Sequence, residues 1–368
     1  MLERSDSHAG TGAAFAGITF TGCTAQLGEE RAPFQLAQGQ SATAPNPASA
    51  ARRREVVVNG KRVKTVDIHS HCAIPEANAV MGHRLQPALV DTDARIRAMD
   101  EQGIDVEALS INPFWYKADR DVAAEVIRIQ NEKLAAFCAS KPDRFVAFAT
   151  AALQHPDLAV EQLVEGVKKL GLRGLSVGGS VNGEELASPR FHPVWAKAEE
   201  LGVLVFIHPQ GTAELEAAGR LNGSGGLENI IGNPLETTIA LSHLIFEGTL
   251  DRFPGLKICA VHGGGYLPSY MNRSDAVCTT FPDRITVKLK KKPTDYVKQM
   301  YYDALVFTPE ALRHLVAEVG AGRLMIGTDY PYPWESASVD HILGTPGLSD
   351  ADKVAMLGET AAKLLGIK

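Results

Sequence analysis

The feature that most constrains this chain is a regular alternation, from residue 65 onward, of short apolar or β-branched runs with longer helical stretches. Strand candidates fall at 65–68, 105–111, 145–149, 174–177, 203–207, 257–261, 300–303 and 324–326. Helical patterns lie between them at 93–102, 121–140, 158–170, 193–201, 235–247 and 309–319. Gly103, Gly171, Gly202 and Gly320 stand where helices should stop, and glycine is favoured there because it accepts the left-handed conformation. Strands that alternate with helices build a parallel sheet, and for 368 residues a closed (β/α)8 TIM-like barrel is the expected α/β form. An open doubly wound sheet usually carries a G-x-G-x-x-G turn after its first strand. None follows Ile68, and Gly263-Gly264-Gly265 has the wrong spacing for that turn.

The first 54 residues do not share this rhythm. They are rich in Ala, Gly, Ser, Gln and Pro, end in Arg52-Arg53-Arg54, and read as an extended arm with one strand at 18–23. Phe20-Thr21-Gly22-Cys23 faintly resembles a lipoprotein cleavage box, but neither the basic start nor the solid apolar core of a signal peptide precedes it. Asn59-Gly60 between β-branched residues is a strong hairpin signal, because both turn positions accept positive φ. The expected division is therefore an N-terminal arm and β-hairpin over 1–64 and a barrel over 65–368.

Composition excludes several partners. The net charge is −6, and the basic run Lys288 to Lys292 reads as a solvated loop, so no nucleic acid is expected. No apolar run approaches the ~18 residues needed to span a bilayer, so no membrane is expected either. The five cysteines are scattered without a C-x-x-C pair, which favours a reducing compartment and a cytoplasmic location.

In such a barrel the working groups project from the C-terminal ends of the strands. Those ends carry His69 and His71 on the first strand, His208 on the fifth, His262 on the sixth and Asp329 on the eighth. Residues two apart on a strand point to the same face, so His69 and His71 enter the same side of the barrel. With His208 and the Asp329 carboxylate they form a donor set suited to one divalent ion, with a position left open for water or substrate. The two-histidine strand leans towards Zn2+, with Mn2+ as the alternative. His155, His192, His243, His314 and His341 read instead as ordinary hydrogen-bonded histidines. Trp115, in Asn112-Pro113-Phe114-Trp115-Tyr116 after the second strand, could line an aromatic pocket or pack under a loop, and Phe307 and Tyr332 share that ambiguity.

Four stretches together resemble the motifs of the amidohydrolase superfamily: Asp67-Ile68-His69-Ser70-His71, Ile207-His208-Pro209, Val261-His262-Gly263-Gly264-Gly265 and Gly327-Thr328-Asp329-Tyr330-Pro331. Within it the chain is similar to the aminocarboxymuconate-semialdehyde decarboxylase family, from residue 66 to the C-terminus. Phe253-Pro254-Gly255-Leu256-Lys257-Ile258-Cys259 and Asp303-Ala304-Leu305-Val306-Phe307 add to the similarity. The resemblance implies that His69, His71, His208 and Asp329 bind the metal, and that His262 acts with Asp329 as general acid or base. It further implies that Arg84 grips a substrate carboxylate, and that Arg273 is supplied across a homodimer interface to the neighbouring site.

This chain departs from the decarboxylase in having Gln210 where a tryptophan follows His-Pro, so the pocket wall and the substrate should differ. Two-metal relatives carry a carboxylated lysine at the end of strand four. The stretch Gly174-Leu175-Ser176-Val177-Gly178-Gly179 has none, which favours one metal. The expected reaction is non-oxidative decarboxylation of a small aromatic or muconate-type carboxylic acid. The alternative is hydrolysis or hydration, at a C–C or C–N bond, of an aromatic ring-cleavage product, since the same metal ligands serve both chemistries.

Overall fold

The computed structural model of the chain describes residues 53–332, 334 and 338–368. The arm and the strand expected at 18–23 lie outside these residues. Two short strands, β1 (Val57–Val58) and β2 (Lys61–Arg62), pair antiparallel through the expected turn. Asn59 and Gly60 both take positive φ there, 48° and 73°, as the twist of a two-residue hairpin requires.

Four strands follow, β3 (Val66–His71), β4 (Val106–Ser110), β5 (Phe145–Ala147) and β6 (Gly174–Gly178). A small antiparallel hairpin, β7 (Ser180–Val181) and β8 (Glu184–Glu185), interrupts the series. The last four are β9 (Leu204–His208), β10 (Lys257–Ala260), β11 (Tyr301–Asp303) and β12 (Leu324–Met325). All pairings outside the two hairpins are parallel, in one sheet ordered β3-β4-β5 and another ordered β6-β9-β10-β11-β12. Isolated parallel bridges join the two sheets at both edges, Ala149 to Leu175 on one side and Asp67 to Ile326 and Ser70 to Tyr330 on the other. The architecture is the eight-stranded α/β barrel, with two seams where the ladder thins to single bridges.

All eight expected strands are present. The first extends through His71 instead of stopping at Ile68. Its polar residues Asp67, His69, Ser70 and His71 are fully enclosed with internal partners, a burial that polarity alone does not suggest. The six expected helices also form, at Thr92–Gln102, Arg120–Ser140, Pro156–Lys168, His192–Leu201, Asn233–Phe246 and Pro309–Val319. Gly103 and Gly202 cap theirs in the left-handed conformation, whereas Gly320 pairs a φ of 88° with an extended ψ of 142° and leads straight into the next turn. A further helix, Leu267–Thr280, follows the glycine turn after β10. Its apolar residues lack a clean helical stripe, which hid it in the sequence.

Apolar side chains fill two clusters. The smaller is drawn mainly from the strands, including Val66, Ile68, Val106, Phe148, Leu204, Phe206 and Val261. Phe148 and Phe206 stack at 5.0 Å, and Phe206 meets the His69 ring edge-on at 5.5 Å. This cluster is the floor on which the strand-end residues stand. Among the described residues no helix is long and apolar enough to cross a membrane.

Candidate metal centre

His69 and His71 lie at the end of β3, His208 ends β9, and Asp329 follows β12. One ligand atom from each falls within 4.8 Å of the others, the one such group of metal-suited residues among those described. The Nε2 atoms of His69 and His71 are 3.0 Å apart, and Asp329 Oδ1 lies 3.0 and 2.8 Å from them. All four residues are buried. Three like-facing nitrogens and a carboxylate at such spacings repel or compete for protons unless a cation sits among them.

The outer hydrogen bonds fix which nitrogen of each ring faces inward. His69 Nδ1 stands 2.6 Å from Asp303 Oδ2, an acceptor, so Nδ1 carries the proton and Nε2 offers its lone pair. His208 Nδ1 donates to the carbonyl of Pro209 at 2.7 Å, and its buried Nε2 has no hydrogen-bond partner. The Ser110 hydroxyl donates to the carbonyl of Ser70, which leaves its oxygen, 3.2 Å from His71 Nδ1, free to accept. Three lone pairs thus converge beside one carboxylate oxygen. The orphaned His208 nitrogen is the clearest sign that this donor set fits a divalent cation.

Electrostatics tell the same story from the metal-free side. Burial disfavours the charged form of His69, but Asp329 and Asp303 outweigh it and raise the group to about 10. Burial lowers His71 to about 4 and holds His208 well below the usual imidazole value. Burial would raise Asp329, yet His69 and the neighbouring imidazoles hold it well below the usual carboxylate range.

Asp303, at the end of β11, was not among the sequence candidates. Besides His69 it accepts from the backbone of Gly263 at 2.9 Å and of Leu305 at 3.2 Å. The signal was present, since it is an acid at the end of the seventh strand. A side chain at Gly327 would approach the Asp303 Cβ to 2.6 Å, so glycine is needed for the carboxylate to reach its place. Asp67 anchors the other side of the centre. It accepts from the His69 backbone at 2.9 Å and from the Thr328 hydroxyl at 2.5 Å, and burial together with the nearby Glu107 raises it to about 7.

His262 stands just outside the donor set, with Nε2 3.8 Å from Asp329 Oδ2 and its side chain 15% exposed. Asp329 and His262 both have left-handed backbones, φ 58° and 54°. Such strain costs on the order of 1–3 kcal/mol per residue and concentrates at functional sites. Trp334 donates its indole N–H to the same Asp329 Oδ2 at 2.8 Å and packs on Phe307 at 5.4 Å, both rings being solvent-exposed. Tyr332 lies 5.9 Å from the His71 ring. Glu236, also missed in the sequence, secures the loop after His208 by accepting from the backbone of Gln210 and of Gly211 and from Ser180.

The softer candidates fall elsewhere. Arg84 is exposed after the short helix Pro75–Val80, and Arg273 is exposed on Leu267–Thr280. Trp115 has no exposed surface and donates its indole N–H to the carbonyl of Ala151 at 2.9 Å, which is the packing arrangement of the two open to it. His155 takes the N-cap position of the helix Pro156–Lys168 without a side-chain capping bond, and His192 begins the next one.

A parallel eight-stranded barrel with a buried three-histidine, one-aspartate centre at the strand ends defines the class: a barrel protein equipped for mononuclear metal chemistry. The chain belongs to the amidohydrolase family, whose sequence model matches residues 66–367, and within it is of the aminocarboxymuconate-semialdehyde decarboxylase type. It is 30% identical over 308 residues to the 2-amino-3-carboxymuconate-6-semialdehyde decarboxylase of Dictyostelium discoideum, covering 82% of this chain and 85% of that one. It is 32% identical over 324 residues to the gamma-resorcylate decarboxylase of Rhizobium sp. (strain MTP-10005), covering 82% and 97%. Among solved structures it is similar to the dihydroxybenzoic acid decarboxylase of Polaromonas sp. JS666 with bound manganese and the inhibitor 2-nitroresorcinol. There the TM-score is 0.73 and the identity 27%, covering 83% of this chain and 97% of that one.

Proposed function

We propose that this protein is a metal-dependent, non-oxidative decarboxylase of a small aromatic or muconate-type carboxylic acid. The observation that carries this reading is the convergence of three imidazole lone pairs and Asp329 Oδ1, with His262 Nε2 3.8 Å from the other oxygen of that carboxylate. It occurs in a chain whose relatives, on both ring-cleaved and intact aromatic acids, are decarboxylases. His69, His71, His208 and Asp329 would hold one divalent ion. When bound, it supplies a Lewis acid beside the His262–Asp329 pair. Zinc is the first expectation from the imidazole-rich donor set, and the manganese of the Polaromonas relative makes that ion the alternative.

His262 and Asp329 Oδ2 are the proton-handling groups of this reading. A proton added to the carbon that bears the carboxylate allows the C–C bond to break, releasing CO2 and leaving hydrogen in its place. No oxidant or reductant is required. Arg84 holds the substrate's carboxylate or a second acidic group, and Arg273 serves the neighbouring site of a homodimer or higher homo-oligomer. The barrel of 65–368 carries this chemistry, with residues 1–64 as an arm and hairpin outside it. The test is release of labelled CO2 from carboxyl-labelled hydroxybenzoates, aminobenzoates and muconate-type acids. Product without CO2 would move the assignment to a hydrolase or hydratase, and no turnover of any acid would refute it.

A further inference from the structure

The ligands His69 and His71 sit on β3 and the ligand Asp329 follows β12, so the metal centre straddles one of the barrel's seams. Across it β3 meets the β12 side at the bridges Asp67–Ile326 and Ser70–Tyr330, and three backbone hydrogen bonds span the join, from Ile68 to Ile326, from Asp329 to His69 and from His71 to Tyr330. Those bonds align the two backbones but do not set how the His69, His71 and Asp329 side chains stand to one another, and a metal site tolerates errors of only about 0.5 Å.

Arg95, on the helix Thr92–Gln102, is placed to do so. Its guanidinium is buried and donates Nη1 to Ser70 Oγ at 2.6 Å and to Glu107 Oε2 at 2.9 Å, and Nη2 to the carbonyl of His71. Its flat face lies over the Tyr330 ring, 4.4 Å from Cζ to the centroid. Ser70 separates the two histidine ligands, and Tyr330 directly follows Asp329. One side chain therefore grips β3, its neighbour β4 through Glu107, and the segment after β12. A buried ion pair adds little net stability compared with a well-packed apolar pair, so its stability alone does not account for it at this position. What only arginine offers is a planar fork of donors together with a stacking face, which lysine lacks.

We propose that Arg95 is a positioning residue that sets the geometry of the metal centre by clamping the β3–β12 seam. This inference rests on the metal-site reading and is independent of the substrate.

The test is metal affinity, measured by chelator competition with Zn2+ and with Mn2+, together with hydrogen exchange at the His71 and Asp329 amides. Those amides donate across the seam to Tyr330 and His69 at 2.7 and 2.8 Å. Arg95→Lys, which keeps the charge, is expected to weaken metal binding about 10- to 100-fold, the usual effect of losing support behind metal ligands. Both seam amides are expected to exchange faster.

The double variant Arg95→Met/Glu107→Leu replaces the pair with apolar side chains, a swap that is often neutral for stability, and is expected to show the same loss of affinity. Tyr330→Leu leaves the ion pair intact and is expected to lose affinity by a smaller factor. If the double variant folds and binds both metals as tightly as the wild type, with unchanged exchange at the seam, the clamp is wrong and the ion pair is only structural. A wild-type chain that binds neither metal would overturn this inference and the metal-site reading together. Loss of CO2 release with metal affinity intact would count against the clamp alone.

Discussion

Replacing Asp303 with asparagine is a severe test of how the centre is built, because the two residues have the same shape and differ in one donor. In the wild type both oxygens of Asp303 accept. Oδ2 takes the proton of His69 Nδ1 at 2.6 Å, and Oδ1 takes the amide protons of Gly263 and Leu305. An asparagine has one oxygen and one NH2. If its oxygen serves the two backbone amides, its NH2 faces His69, forces Nδ1 to accept and moves the ring proton to Nε2, where the metal should bind. If it flips, its NH2 points at the Gly263 amide and two donors oppose each other. With a metal on Nε2 the ring proton must return to Nδ1 and oppose the NH2, so in both arrangements the metal-bound state leaves at least one buried donor without a partner, costing about 1–3 kcal/mol, and a hydrogen bond to a charged group worth about 1.5–3 kcal/mol is lost. Allowing for overlap between the two, the loss is about 3 kcal/mol, or roughly a hundredfold in metal dissociation constant. Chelator competition on folded Asp303→Asn measures it directly. Binding within threefold of the wild type, by a variant with wild-type circular dichroism, would refute the tautomer argument.

Other consequences can be checked independently. His262→Ala is expected to abolish turnover and leave metal content unchanged, since His262 lies outside the donor set; loss of metal in this variant would make His262 a ligand instead. Arg84→Met should raise KM for a carboxylate substrate more than it lowers kcat, and an unchanged KM removes Arg84 from the binding role. Burial raises Glu236 from 4.5 to about 7, so the folded state keeps a proton the unfolded chain has released, and stability falls as pH rises between those values. Denaturant titrations across that window should therefore shift in favour of Glu236→Gln by on the order of 3 kcal/mol, and a difference independent of pH would contradict the burial argument.

The sequence made the barrel legible because each strand was apolar enough to stand out and each helix was punctuated by glycine or proline. The candidate ligands were legible for a related reason: His69, His71, His208 and Asp329 sit at strand ends, where a barrel exposes its chemistry. What supports them was harder to see. Asp303 belongs to the same strand-end pattern, but within its own segment it meets only the Leu305 amide, and its role appears only when β11 is set beside β3. Arg95 lies 24 residues from the carbonyl it grips and reads in sequence as an ordinary charged helix residue. Trp115 stayed open between two readings, since an aromatic after a strand end can be a pocket wall or packing until its complete burial is known. Contacts of long sequence separation decide these cases, and no local pattern encodes them.

The central claim is that four residues hold one metal ion, and elemental analysis of metal per chain tests it most directly. After reconstitution with zinc or manganese, the wild type is expected to hold one ion per chain and folded His208→Ala to hold none after the same dialysis. A wild-type chain that retains no metal, or a His208→Ala chain that retains as much as the wild type, would contradict it.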